Sequence, residues 1–114
     1  MFDEVIKYSK LLNSENTLIK GSARRNSVYY NLVSYINHTI AFYIAENYPA
    51  TSVFITRALE EFVELKSKHK EANEYFELCE QYLIKVSRHM IKEKLFLEYR
   101  IEMLPEEYRK LILN

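Results

Sequence analysis

Apolar residues recur at helical spacing along most of the chain. In residues 2–12 the spacing is close to 3.6 residues, which predicts a short amphipathic helix. A helix this short is only marginally stable alone in water, so we expect it to dock against the rest of the chain. Residues 13–23 are rich in Asn and Ser and include the single glycine, so they are predicted to form a connector.

The most informative segment is residues 26–45, which contain no Asp, Glu, Lys or Arg. Polar side chains interrupt its apolar positions, and each of them would be costly in hydrocarbon, which argues against a membrane span. An uncharged helix of this kind is typically covered by protein on most sides, in a core or at a subunit interface. We therefore predict one long helix over residues 24–47, closed by Pro49.

Two further helical segments follow, and then a short one. Thr51 or Ser52 is a suitable N-cap for a helix over residues 52–68. Residues 70–103 keep the helical period throughout, with acidic residues early and basic residues late, as the helix dipole favours. They are predicted to form one long helix. Pro105 then fits the first position of a last helix.

These segments predict an all-α fold, a small bundle of four to five helices. A single domain over residues 1–114 would contain an N-terminal helix and connector (1–23), central helices (24–68), and a long helix followed by a C-terminal helix (70–114). A chain of 114 residues with 48% hydrophobic residues can bury a core without disulfides or metals. One Gly and two Pro leave few positions that would break a helix.

Charge and cysteine content narrow the possible functions. Sixteen basic and sixteen acidic residues give a formal net charge of zero, which does not suit a broadly basic nucleic-acid coat. The single Cys79 rules out an intrachain disulfide, and charged residues interrupt the N-terminus where a signal peptide would be apolar. We expect a cytoplasmic protein in a reducing compartment.

The residues offer little for catalysis. His89 and Glu93 are four residues apart on one helix face, but two ligands do not make a metal site. Cys79 lies mid-helix on the apolar stripe, where the flanking Glu77 and Glu80 disfavour a thiolate nucleophile. One glycine cannot build a phosphate-binding loop. We expect no enzyme activity, no cofactor and no bound metal.

Ten Tyr and six Phe are many for this length. Aromatic rings beyond what a small core can hold are typical of interfaces, where the ring is buried and the Tyr hydroxyl stays paired. The sequence therefore predicts a non-enzymatic interaction or regulatory protein. It would bind a protein partner, or itself as a homo-oligomer, through the uncharged helix. The residues expected at that interface are Tyr35, Ile36, Phe42 and Tyr43.

Residues 24–62 also allow a different interpretation. Val28 to Leu32 alternate with a period of two and are rich in β-forming residues, so a short strand at 28–32 is an alternative to the helix. A strand, a helix, a turn and a helix would follow in order, with Ile-x-x-Ala-Leu-x-x-Phe in the second helix. This order resembles the ribbon-helix-helix family of transcriptional repressors.

The resemblance implies a dimeric DNA-binding repressor whose paired strands enter the major groove. It implies that Tyr29 and Asn31 face the bases and that Arg24 and Arg25 hold phosphates. A backbone N–H at Ser52 would add a phosphate contact at a helix N-terminus. The conformation of residues 28–32 separates the two hypotheses, because a strand favours DNA and an unbroken helix favours a protein partner.

Overall fold

The computed structural model describes residues 27–68 and 74–114. Within these ranges the chain forms five α-helices and no strand, which confirms the all-α prediction. The helices are α1 (Ser27–Ile44), α2 (Tyr48–Lys68), α3 (Glu74–Lys92), α4 (Glu98–Glu102) and α5 (Glu106–Leu113). The helix predicted at 2–12 and the connector predicted at 13–23 lie outside the described residues.

Residues 28–32 are helical and form part of α1. Leu32, Val33, Ile36 and Ile40 are all almost fully buried and recur every three or four residues, so they form one stripe of the core. In a strand, Leu32 and Val33 would lie on opposite faces. The alternative strand at 28–32 is wrong, because the helical period of buried positions already begins within it.

The turn between α1 and α2 contains a left-handed residue that is not glycine. Glu46 has a φ of 59°. The N–H of Glu46 donates to the Tyr43 carbonyl at 3.1 Å, and the N–H of Asn47 donates to the Phe42 carbonyl at 2.9 Å. These two bonds form a Schellman motif, which pairs the carbonyls at the end of α1 and reverses the chain.

Helix α2 begins earlier than the sequence predicts. The Asn47 Oδ1 accepts a hydrogen bond from the Ala50 N–H at 3.3 Å, and Pro49 lies in the first turn, where its missing N–H costs no bond. Thr51 and Ser52, the predicted N-caps, are fully buried inside the helix. Their hydroxyls donate to carbonyls one turn earlier, at 2.7 and 2.9 Å. The N-cap prediction is therefore wrong.

The long helix predicted over residues 70–103 is two helices. Lys94 has a φ of 59°, and the Leu95 N–H donates to the Met90 carbonyl at 2.7 Å, which forms a second Schellman end. The chain then leaves the axis of α3, buries Phe96 and places α4 against α2. Neither Gly nor Pro stands at this break, so nothing in the sequence marks it.

We expect Lys94→Gly to stabilise the protein by about 1 kcal/mol. A β-carbon in the left-handed region costs roughly 1–2 kcal/mol, and the larger chain entropy of unfolded glycine offsets part of the gain. Lys92→Gly, at the helical end of α3, should instead destabilise by about 1 kcal/mol. Urea unfolding of both variants measures the two effects, and a loss of stability in Lys94→Gly would contradict the assigned turn.

The core lies between α1, α2 and α3, and α5 covers α3. The most extensive packing in the described part is between α1 and α2. The largest fully buried apolar side chains of the core are Phe62, Leu32, Ile36, Ile40, Ile55, Leu59, Leu83 and Met90. None of the described helices has the length and apolar character that a bilayer crossing requires.

A polar network that is buried at Tyr108 and exposed at Lys66 joins α2, α3 and α5. The Tyr108 hydroxyl of α5 donates to Glu80 Oε2 of α3, and Lys66 Nζ of α2 lies 2.5 Å from the same oxygen. Lys66 Nζ also lies 5.6 Å from the centre of the Tyr108 ring. Burial, followed by the hydrogen bond to Glu80, raises the pKa of Tyr108 well above its ordinary value. The network fixes how α5 lies on the core.

Candidate functional site

One face of the α1–α2 pair carries stacked rings at the surface. We define the aromatic cluster as Tyr35, His38, Phe42, Phe54 and Arg57. Phe54 lies at its centre, with the ring centroids of His38 and Phe42 at 4.9 and 5.5 Å, both nearly parallel to it. The Tyr35 ring lies 6.1 Å away and is tilted. The guanidinium carbon of Arg57 lies 5.3 Å from the Phe54 centroid, within cation–π distance.

Helical spacing explains why these side chains meet. Tyr35, His38 and Phe42 are three and four residues apart, so they follow one face of α1. Phe54 and Arg57 are three residues apart on α2. His38 and Arg57 are exposed, and the three other rings are half-buried. Close packing of α1 on α2 thus places the cluster residues of the two helices side by side, on a surface that remains open to solvent.

The His38 ring is held in one orientation by α1 itself. Its Nδ1 lies 2.7 Å from the Ser34 carbonyl oxygen, which can only accept, so Nδ1 carries the proton. In the neutral ring this leaves Nε2 as the acceptor atom. The aromatic cluster can therefore offer stacked apolar faces, one cation and one imidazole acceptor.

The structure divides the predicted interface into two groups. Tyr35 and Phe42 belong to the aromatic cluster. Ile36 and Tyr43 are only 1% and 7% exposed and lie in the core, where they cannot meet a partner in this conformation. Burial raises the pKa of Tyr43, and neighbouring Tyr48 adds to this effect. The candidate interface on α1 is therefore narrower than the sequence predicts.

The geometry of the aromatic cluster is the basis for assigning it a role. No family model, curated protein or solved structure matches this chain. The role of the cluster must therefore follow from its ring stacking, its exposure and its charge.

Three members of the cluster were missed by the sequence analysis. Phe54 follows the helical period of the apolar stripe of α2, so the sequence alone places it with core residues. His38 lies between Asn37 and Thr39, and Arg57 between Thr56 and Ala58, and the two join the cluster only when α1 packs beside α2. The sequence pattern of one helix cannot distinguish aromatic rings at the surface from rings in the core, because that difference depends on how α1 and α2 pack together.

Of the residues implied by the repressor resemblance, the structure describes three, Tyr29, Asn31 and Ser52. Arg24 and Arg25 lie outside the described residues. Tyr29 and Asn31 are part of helix α1, and the Asn31 side chain is half-buried. Ser52 lies inside α2 instead of at its N-terminus, and its hydroxyl accepts a bond from the Leu97 N–H at 3.2 Å.

A second polar feature lies between α2 and α4. Arg100 is 9% exposed, and its Nε donates to the Thr56 hydroxyl oxygen at 2.9 Å. Its Nη2 donates to the same oxygen and to the Val53 carbonyl at 3.1 Å. Its Nη1 has the Met103 sulfur at 3.3 Å. Together with the Ser52 bond, these contacts dock the five-residue α4 onto α2.

The described side chains that could bind a metal do not cluster, and the Cys79 thiol is buried. Within residues 27–68 and 74–114, no three His, Cys, Asp or Glu side chains are close enough to hold a metal ion. Cys79 is a buried thiol of the core. His89 lines a groove with Arg88, Lys92 and residues at the end of α5.

Proposed function

We propose that this chain is a non-enzymatic binding protein that docks a protein partner through the aromatic cluster. The proposal rests on the surroundings of Phe54. The rings of His38 and Phe42 stack on it, and the Arg57 guanidinium lies within cation–π distance, on a face open to solvent. Aromatic residues, Phe included, and Arg are enriched in interfaces, and Tyr, Trp and Arg most often form their energetic centres. Rings that are already stacked lose little freedom on binding, which lowers the cost of association.

The charge of the aromatic cluster favours a different protein over a second copy. Its five members include Arg57 and no carboxylate. In a two-fold symmetric dimer the cluster would meet its own copy, so Arg57 would find no acid there. A partner with an apolar pocket and an acidic rim would complement both the rings and the cation. The homo-oligomer predicted from the sequence is the other outcome that the experiment below distinguishes.

The mechanism is occupation of a surface. Phe42 and Phe54 would supply the apolar anchor, and Tyr35, His38 and Arg57 would supply the surrounding polar contacts. Such a protein regulates its partner by covering a surface, and it needs no chemical step. Residues 28–32 are helical, which removes the strand on which the DNA-binding alternative rests.

Photo-crosslinking at position 42 tests the proposal. Benzoylphenylalanine replacing Phe42 in cells that produce the protein should give one discrete protein adduct. The same probe at Leu111, which is 54% exposed on α5, should give none. In the protein that carries benzoylphenylalanine at position 42, Phe54→Ala should lower the adduct yield about tenfold or more. Central aromatic residues contribute about 2 kcal/mol or more to binding.

The mass of the adduct separates the possible partners. An adduct of twice the chain mass would assign the aromatic cluster to self-association. Equal yields at positions 42 and 111, or no adduct at 42, would contradict the proposal. Thermal unfolding of Phe54→Ala by circular dichroism checks that the variant remains folded.

A further inference from the structure

Arg100 is a buried cation with no carboxylate partner among residues 27–68 and 74–114. Burying a guanidinium is costly unless an acid or several strong acceptors compensate it. In the described part of the chain its contacts are one hydroxyl, one backbone carbonyl and one thioether. The ion pair between Lys66 and Glu80 lies elsewhere in the fold.

The hydrogen bonds of Arg100 are unevenly satisfied. Nε and Nη2 donate to Thr56 and Val53 oxygens, which are strong acceptors. Nη1 carries two N–H groups, and its acceptor among the described residues is the Met103 sulfur, a weak acceptor. The Nη1 edge of the guanidinium is therefore the part that a better acceptor would stabilise.

The Met103 side chain, which lies over Nη1 of Arg100, can be displaced. It is 46% exposed, unbranched and flexible, and it lies at the C-terminal end of α4. Tyr99, four residues earlier, is 59% exposed. An incoming group that displaced the sulfur would find a guanidinium bordered by exposed apolar surface.

Arg100 and the aromatic cluster both contact α2. Phe54 packs toward α1 on one side of α2, and Thr56 contacts Arg100 on the other. Arg57 lies one residue from Thr56 and is exposed. A partner that covered the cluster, extended around α2 and displaced Met103 would meet two guanidinium groups, neither of which has a carboxylate partner among the described residues.

We propose that the Nη1 edge of Arg100 receives an Asp or Glu carboxylate of the protein partner, which displaces the Met103 sulfur. The inference rests on the proposed function, because it names the chemistry of the same partner. The exchange replaces a weak N–H···S contact with charge-assisted bonds to a carboxylate, which are among the strongest in proteins. No covalent step is involved.

The test uses the full chain labelled with ¹⁵N and with ¹³C at methionine methyl groups, titrated with N-acetyl-hexaglutamate amide. We expect saturable NMR shifts at Arg100 Nε–H and at the Met103 methyl, and no saturation with N-acetyl-hexaglutamine amide. Met103→Glu places a carboxylate of the chain itself beside Nη1 and should weaken hexaglutamate binding about tenfold. Leu111→Glu makes the same charge change on α5 and should leave binding within about twofold.

Two further results decide the proposal. Met103→Leu removes the sulfur at similar volume and should leave hexaglutamate binding as strong or stronger. Shifts at other residues without a shift at Arg100, or equal weakening by Met103→Glu and Leu111→Glu, would overturn the carboxylate site. Because the crosslinking at position 42 does not involve Arg100, the proposed function would stand or fall separately.

Discussion

Replacing Thr56 with valine should lower the free energy of unfolding by about 3 kcal/mol. Thr56 is fully buried, and its hydroxyl oxygen accepts bonds from both Nε and Nη2 of Arg100. Valine has nearly the same shape and no acceptor, so the guanidinium would keep the Val53 carbonyl as its strong acceptor. Hydrogen bonds to a charged group contribute about 1.5–3 kcal/mol each, and two are lost, together with the bond that the Thr56 hydroxyl donates to the Val53 carbonyl at 2.7 Å.

Thr51→Val is the matched control for this variant. Thr51 is equally buried on the same helix, and its hydroxyl donates to the Asn47 carbonyl at 2.7 Å without contacting a charge. We expect it to cost about 1 kcal/mol or less, since an ordinary hydrogen bond contributes about that much. Urea unfolding curves give both values. Equal losses in the two variants would show that Arg100 does not depend on Thr56.

Tyr108→Phe should destabilise the protein by about 2 kcal/mol at neutral pH. Tyr108 is almost fully buried, and its hydroxyl donates to Glu80, which also pairs with Lys66. Phenylalanine fills the same space but leaves Glu80 with one partner fewer, and a lost bond to a charged group costs about 1.5–3 kcal/mol. Tyr99→Phe, at an exposed position on α4, should change stability by about 0.5 kcal/mol or less.

The cost of Tyr108→Phe should shrink at alkaline pH. Burial, and then the bond to Glu80, raises the pKa of folded Tyr108 above its ordinary value of 10.0. Above about pH 10 the unfolded chain has lost a proton that folded Tyr108 keeps, so wild-type stability falls by up to about 1.4 kcal/mol per pH unit. The phenylalanine variant lacks this loss. Urea unfolding from pH 8 to 11 measures the difference, and a constant difference would contradict the raised pKa.

The helical period predicted most of the fold because burial in a helix follows that period directly. Leu32, Ile36 and Ile40 place α1 even though residues 28–32 also alternate like a strand. The helix ends were not predictable in the same way. Glu46 and Lys94 take left-handed conformations because the helices that follow them must return to the core, and neither residue type favours that conformation.

The candidate site was partly predictable for a similar reason. An uncharged helix rich in aromatic residues indicated an interface, and Tyr35 and Phe42 are in the aromatic cluster. Tyr43 has the same chemistry but lies in the core, and a single helix pattern cannot separate the two environments. Phe54 and Arg100 acquire their roles through packing against another helix, which the sequence does not show.

The docking of α4 has a consequence for the order in which the chain folds. Helices α1 and α2 are joined by a tight turn, so their contacts close short loops and can form early. The bond between Arg100 and Thr56 joins residues 44 positions apart, which costs more loop-closure entropy, and a five-residue helix is not stable alone. We therefore expect helix α4 to be the last of these elements to form and the first to open, while the α1–α2 hairpin stays folded.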